Sequence, residues 1–400
     1  MSKIVICGAA RTPVGAIAGG LAPLQCIELG RIAAAEALKA AKCDVKNVEY
    51  VTFGHGMQDV RFMGSSKMVC DLIGTPVTTP ATTVQENCAS GGAAIHDIAR
   101  RLLAGEIELG LAGGMESMSN APRFLFAGRI AGQLYGSMEL VDGIQGGLKD
   151  PTIVSKDYPD GTLMGVITDL LAEKYGVSRE LQDQIAYNSH KNAFEAWEKG
   201  MFDYVTPVEV KQKKKTYTVS RDEGPKKLEM DYFTKQKPFF RKGGTVTVAN
   251  SSSTNDAAAC LVLATEKKAK DLNLPILAEL HSWANIGVPK EWMGEGAFKV
   301  IPKLFQKTGL DVSKVDFFEM NEAFAAVVGA ATKDLPELAD LKKVNQWGSG
   351  ISIGHPIGCT GVRQVVDMVH QLRKRDKKVG ITSRCVGGGI GSGEVVVRYD

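Results

Sequence analysis

Cys88, His355, Cys385 and Asn321 are the residues whose types and surroundings fit nucleophilic and acid/base chemistry. Cys88 lies within Gln85-Glu86-Asn87-Cys88-Ala89-Ser90-Gly91-Gly92. Upstream, Thr82, Thr83 and Val84 are β-branched, while Ile95, Ile98, Ala99, Leu102 and Leu103 recur at helical spacing. Cys88 is therefore expected at a strand-to-helix junction, where unpaired N–H groups and the helix dipole favour thiolate and lower the thiol pKa. Small neighbours let another group approach the sulfur. A packed structural cysteine is the competing reading of Cys88 taken by itself.

The other three sit in comparable settings. His355 and Cys385 occupy glycine-rich loops at expected strand ends, and Asn321 with Glu322 opens an expected helix. Alone, His355 before a proline reads equally as a helix cap, and Asn321 as an N-cap after the strand 315–320. The tail Cys385-Val386-Gly387-Gly388-Gly389 resembles a dinucleotide-binding loop, but a strand-like Glu394-Val395-Val396-Val397 follows where that loop needs a helix. A nicotinamide or flavin site is therefore excluded. Glycines beside Cys385 instead offer backbone N–H groups to an oxyanion.

The elements that position these residues follow an α/β rhythm. Strands are expected at 3–9, 48–53, 82–84 and 107–112, with helices at 27–41, 63–73 and 91–104, which favours a layered domain with a mainly parallel sheet. The rhythm breaks between about 121 and 249, where helices are expected at 164–175 and 180–199, the second N-capped by Ser178. Residues 211–242 carry eleven Lys or Arg against four Asp or Glu. That stretch reads as a dock for a polyanion or as a solvated basic loop. A strand at 245–249 and an alanine-rich helix from 257 then resume the rhythm, followed by strands at 276–282 and 315–320 and helices at 296–307 and 321–331. The loop, helix and strand after Cys88 have a counterpart after His355, an architectural sign of duplication.

Composition narrows the classes. Four hundred residues at 44% hydrophobic and 23% charged describe a globular protein of two or three domains, and a net charge of +3 gives no general attraction to nucleic acid. Eight cysteines without a C-x-x-C pair indicate a reduced, cytoplasmic setting. The six histidines lack ligand spacing, so no metal is expected. No apolar run is long enough to span a bilayer, so no membrane partner is expected.

Five segments together resemble the signatures of thiolases, the acetyl-CoA acetyltransferase family: Asn87-Cys88-Ala89-Ser90-Gly91, Gly113-Gly114-Met115-Glu116-Ser117-Met118-Ser119, Asn321-Glu322-Ala323-Phe324-Ala325-Ala326, Gly354-His355-Pro356-Ile357-Gly358 and Cys385-Val386-Gly387-Gly388-Gly389. They occur in family order across nearly the whole chain. The resemblance implies a five-layered αβαβα core from two similar halves with an inserted loop domain covering coenzyme A. On that pattern the N-terminal half is 1–120 completed by 245–272, the loop domain is 121–244, and the C-terminal half is 273–400.

The resemblance also implies roles. Cys88 carries the acyl group, His355 accepts its proton, and Cys385 exchanges the α-proton of the acetyl unit. Asn321, through a water, and His355 form one oxyanion site, and the N–H groups of Cys88 and Gly387 the other. Ser252 meets the pantetheine arm, Met164 and Phe324 line the acyl pocket, and Lys226 lies nearest the phosphate-contacting stretch. Coenzyme A is implied as a substrate, with no tightly bound cofactor and a homodimer or homotetramer as the assembly. Leu163 stands where short-chain members carry a histidine, and Gln346-Trp347-Gly348-Ser349-Gly350 and Ser253-Thr254 also depart from the usual pattern, which puts acetoacetyl-CoA in doubt as sole substrate. The alternatives are a decarboxylating condensing enzyme of the same fold and a non-catalytic acyl-CoA-binding subunit. Retention of Cys385 argues against the first, and retention of Cys88, His355 and Cys385 against the second.

Overall fold

A computed structural model describes residues 3–125, 135, 137 and 139–400. Nine strands form the central sheet: β1 (Ile4–Arg11), β2 (Tyr50–Gly54), β3 (Ala81–Val84), β4 (Leu109–Ser117), β5 (Asn255–Thr265), β6 (Ala278–Gly287), β7 (Phe317–Met320), β8 (Val379–Val386) and β9 (Ile390–Arg398). The main helices are α1 (Cys26–Ala40), α2 (Ser65–Ile73), α3 (Ser90–Ala104), α4 (Met164–Tyr175), α5 (Arg179–Glu198), α6 (Gly296–Thr308), α7 (Ala325–Asp334) and α8 (Thr360–Lys374).

The strand order is β7-β8-β9-β6-β1-β5-β4-β2-β3, with a short strand, Gly15–Ala16, beside β5. It divides into two runs of the same design. In the first, β1/β5 and β5/β4 are antiparallel, and β4/β2 and β2/β3 are parallel. In the second, β6/β9 and β9/β8 are antiparallel and β8/β7 parallel, and a parallel bridge between Phe318 and Val344 stands where β3 would be. The runs meet where β1 pairs antiparallel with β6. The sheet is thus mixed rather than mainly parallel, because β5 returns from beyond the insertion between β1 and β4, and β9 folds back on β8.

Three buried cores fill the four gaps between five layers, the middle core reaching both runs. One packs α1 against a face of the first run through Leu29, Ala33, Val5, Val51 and Val262. The middle core joins α3 and α8 to the opposite face, through Ile95, Ile98, Val362, Val366, Ile6 and Leu263. The third packs α6 and α7 against the second run, through Val300, Leu304, Val327, Ile381 and Val395.

Three local expectations are corrected. Residues from Ala257 form strand β5, not a helix: Ala258, Cys260, Val262 and Ala264 face one core, while Ala257, Ala259, Leu261 and Leu263 face the other. Burial on both faces erases alternation and lets small residues serve as strand. Residues 245–249 form a loop, held by the Asp169 carboxylate accepting from the Thr245 and Val246 nitrogens at 2.6 and 2.9 Å. Asn321 does not open a helix, since α7 begins at Ala325. Residues 321–324 are instead tied to the serine loop by Ser252 N–H to Ala323 O, 2.9 Å, and Ala325 N–H to Asn250 O, 2.8 Å. Ser178 does cap α5, accepting from Leu181 N at 3.2 Å.

The segment between β4 and β5 is fastened by buried charge. Arg11 in β1 donates to Asp222 of that segment at 2.7 Å and to Asp367 of α8 at 2.6 Å. Breaking one partner of such a buried set leaves an uncompensated charge, so the segment's placement is strongly specified. Among the described residues no helix is long and apolar enough to cross a membrane, and no group of three or more His, Cys, Asp or Glu is placed to hold a metal.

Candidate active site

The helices of the middle layer, α3 and α8, bring their N-termini together. A Cβ on Gly91 would stand 2.9 Å from the Val362 nitrogen, and one on Gly361 would overlap the Gly92 nitrogen, so this approach requires glycine. Two positive helix ends therefore face one region. Cys88 lies two residues before α3, after Asn87 in the left-handed region at φ 46°. The Asn87 side-chain amide donates to Gly387 O at 3.0 Å, tying the Cys88 loop to the loop that follows Cys385. Cys385 is the penultimate residue of β8.

His355 enters from the loop before α8. Gly354, at φ +120°, packs so closely on Asn255 that a Cβ there would lie 2.6 Å from its amide. The same Asn255 accepts the His355 backbone N–H at 2.9 Å. These contacts aim the imidazole. Its Nδ1 lies 2.7 Å from Thr360 Oγ1 and 3.4 Å from Asn321 Nδ2, and its Nε2 is buried with no partner among the described residues.

A cavity of about 570 Å³ collects most of the candidates: Cys88, His355, Cys385, Gly387, Ser252, Met164 and Phe324 all line it. Asn321 is fully buried beside the His355 ring, with its Oδ1 unpartnered among the described residues. Lys226 is exposed on a loop and is not part of the cavity wall. Leu163 and Thr254, two of the departures noted above, do line the cavity, whereas Trp347 packs edge-on against Phe202 with centroids 5.3 Å apart.

Electrostatics correct the expectation for Cys88. Burial pushes its thiol up to about 11, opposed by the Gly387 N–H and aggravated by the nearby Glu116. Burial outweighs the helix terminus. Burial likewise lowers His355 to about 3, reinforced by Arg363 and Arg384, and raises the Cys385 thiol, reinforced by Cys88. The resting site therefore holds neutral thiols and a neutral imidazole. A neutral imidazole has one nitrogen free to accept a proton, so such a ring can serve as a base. The Gly387 N–H and the two helix ends are groups able to favour negative charge beside Cys88.

Other residues of the site carried little sequence signal. Glu116, fully buried, accepts from Gly56 N at 3.0 Å, Met57 N at 3.2 Å and Gly358 N at 2.8 Å, joining both halves behind the cavity. A lone carboxylate in an otherwise apolar strand was the signal available. Met57, Leu148 and Phe240 line the cavity from loops without periodicity. Thr360 and Asn255 act on His355 from segments whose local sequence does not mark them out.

Comparison with known proteins agrees along the whole chain. The thiolase N-terminal domain matches residues 4–267 and the thiolase C-terminal domain residues 274–398. A probable acetyl-CoA acyltransferase of Staphylococcus epidermidis is 37% identical, with all of both chains covered. The crystal structure of the Bacillus anthracis acetyl-CoA acetyltransferase superposes with a TM-score of 0.95 at 36% identity, covering 100% of this chain and 99% of that one. Human mitochondrial 3-ketoacyl-CoA thiolase in complex with CoA superposes at 0.93 with 31% identity, covering 100% and 98%. With both domains matched in order, an apolar cavity walled by two cysteines and a histidine, and this likeness in fold, the chain belongs to the thiolase family.

Proposed function

We propose that the protein is an acyltransferase that cleaves and forms 3-ketoacyl-CoA, with coenzyme A as substrate and no tightly bound cofactor. The observation that carries this reading is the convergence of Cys88, His355, Cys385 and Gly387 on one cavity from loops far apart in sequence. In cleavage, the Cys88 sulfur attacks the 3-keto carbon while its proton passes to His355 Nε2. The bond between Cα and the keto carbon then breaks, leaving an acyl-Cys88 thioester and the enolate of acetyl-CoA. Cys385 protonates that enolate on carbon, and the resulting thiolate takes the CoA thiol proton as the CoA sulfur attacks the acyl-enzyme. The carbon–sulfur bond to Cys88 then breaks, acyl-CoA is released, and His355 returns its proton to the Cys88 sulfur. Two thiols in different surroundings suit a reaction that needs one nucleophile and one carbon base.

Gly387 N–H serves the tetrahedral oxyanion, and Asn321 with His355 the enolate oxygen. Ser252 meets the pantetheine arm, Met164 and Phe324 the acyl group, and Lys226 the phosphates, with residues 121–244 acting as the cover between halves 1–120 plus 245–272 and 273–400. A wall containing Met57, Leu148 and Leu163 supports an apolar acyl group larger than acetyl. The eight unpaired cysteines support a cytoplasmic setting, and cleavage of 3-ketoacyl-CoA fits a role in fatty acid metabolism. Exposed Val60, Met63 and Val77 near the edge strand β3 support a homodimer or homotetramer.

A thiolysis panel from acetoacetyl-CoA to long and aromatic 3-ketoacyl-CoA, with and without free CoA, tests the activity. CoA-dependent cleavage with ping-pong kinetics is expected. Turnover limited to CO2 release from malonyl thioesters would overturn it in favour of a decarboxylating condensing enzyme.

A further inference from the structure

The two ring nitrogens of His355 meet different neighbours. Nδ1 lies 2.7 Å from Thr360 Oγ1, and Nε2 has no partner among the described residues. Thr360 is fully buried, and its hydroxyl donates to Pro356 O at 2.9 Å. A hydroxyl has one proton and can otherwise only accept. With that proton directed to Pro356, the oxygen accepts from Nδ1–H, and the ring's lone pair falls on Nε2.

A second neighbour pulls the other way. The Asn321 side-chain N–H, 3.4 Å from the same Nδ1, would pair with a bare Nδ1 and so favour the Nε2–H tautomer. That contact is at the long edge of hydrogen bonding, whereas the hydroxyl contact is well within it. The threonine therefore decides the tautomer. Its hydroxyl is held by the first turn of α8, whose Thr360 N–H also reaches Pro356 O at 2.9 Å.

We propose that Thr360 is a positioning residue that fixes His355 as the Nδ1–H tautomer and so keeps Nε2 as the acceptor for the Cys88 proton. This rests on the reading of His355 as the base. In the acylation step the Cys88 proton moves to Nε2 as the sulfur pair forms the new carbon–sulfur bond and the carbonyl pair moves onto oxygen. As that pair returns, the bond to the CoA sulfur breaks and CoA leaves with the Nε2 proton, while the Nδ1–H of the imidazolium stays hydrogen-bonded to Thr360. Thr360→Val keeps the shape but removes the acceptor, leaving the Asn321 amide as the nearest polar group and the ring free to present Nε2–H. Thr360→Ser keeps the oxygen.

The test compares wild type, Thr360→Val, Thr360→Ser and His355→Ala for the rate of Cys88 acetylation by acetyl-CoA, alongside ¹⁵N spectra of histidine-labelled protein. Thr360→Val is expected to lose on the order of tenfold to a hundredfold in acylation rate, with KM nearly unchanged and Thr360→Ser close to wild type. The His355 signal, identified by its loss in His355→Ala, is expected as Nδ1–H in wild type and Thr360→Ser and as Nε2–H in Thr360→Val. Wild-type speed in His355→Ala would overturn the base assignment itself. Slow His355→Ala with wild-type speed in Thr360→Val would overturn only the role of Thr360. An Nε2–H signal in the wild-type protein would overturn it without reference to any variant.

Discussion

The two runs of the sheet place corresponding residues at the same depth and use them differently. Gly54 pairs with Gly114 across β2/β4, and Met320 with Ser383 across β7/β8. The residue after each first partner is His55 in one run and Asn321 in the other, and the residue two beyond each second partner is Glu116 or Cys385. Glu116 is engaged by three backbone N–H groups and has His55 Nε2 3.6 Å away. Asn321 keeps an unpartnered Oδ1 among the described residues, and Cys385 lies on the cavity wall. A polar group with its hydrogen bonds satisfied holds geometry, and one left open is available to a substrate. At these paired positions the first run therefore holds a tie and the second leaves open groups, while Cys88 joins them from the loop after β3 of the first run.

If that contrast holds, changing an open group abolishes turnover and spares the fold, while changing a tie does the reverse. Cys385→Ser is expected to keep acyl-enzyme formation and to slow exchange of the acetyl α-proton by ~10³-fold, because a serine hydroxyl is a far weaker acid and its alkoxide is inaccessible. Normal exchange, read by deuterium uptake into acetyl-CoA, would remove Cys385 from the base role.

Glu116→Ala is expected to act on stability. The buried Gly358 N–H and the half-buried Gly56 and Met57 N–H groups lose their acceptor, at a cost of about 3 kcal/mol. Urea unfolding measures this, and an unchanged midpoint would show that Glu116 is not a tie.

The smallest expected effect is in pH. Burial raises Glu116 from 4.5 to about 7. A carboxyl raised on folding adds stability that is fully present below 4.5 and is lost as pH rises through 7. Glu116→Gln removes this contribution, so stability should fall less steeply between pH 4.5 and 7 than in wild type. Buried Glu319 and Glu322, also raised to about 7, retain their share of the slope. Identical slopes would contradict the buried, protonated state of Glu116.

Much of this arrangement was legible in the sequence for definite reasons. The helix after Cys88 shows its apolar stripe because only one face meets the sheet and α8, and Ser178 marks a helix start because its oxygen caps it. Strand β5 resembles a helix in sequence because layers on both sides bury every residue from Ala257 to Ala264, leaving no alternation. Asn321 was placed at a helix start because local sequence does not reveal that residues 321–324 pair with the serine loop. The raised pKa of Cys88 escapes the local sequence for a related reason. A helix terminus is visible locally, but desolvation is created by the fold, through segments more than two hundred residues away. Thr360 and Glu116 were unreadable as roles, since each depends on a partner fixed only by tertiary structure.

The central claim is that Cys88 is the acyl carrier within a site completed by the second half of the chain. Brief incubation with acetyl-CoA, acid quenching and peptide mass analysis test it directly. The account predicts an acetyl group on the peptide containing Cys88, released by added CoA and absent in Cys88→Ala. Full thiolysis by Cys88→Ala, or acetylation at another cysteine with Cys88 unmodified, would contradict it.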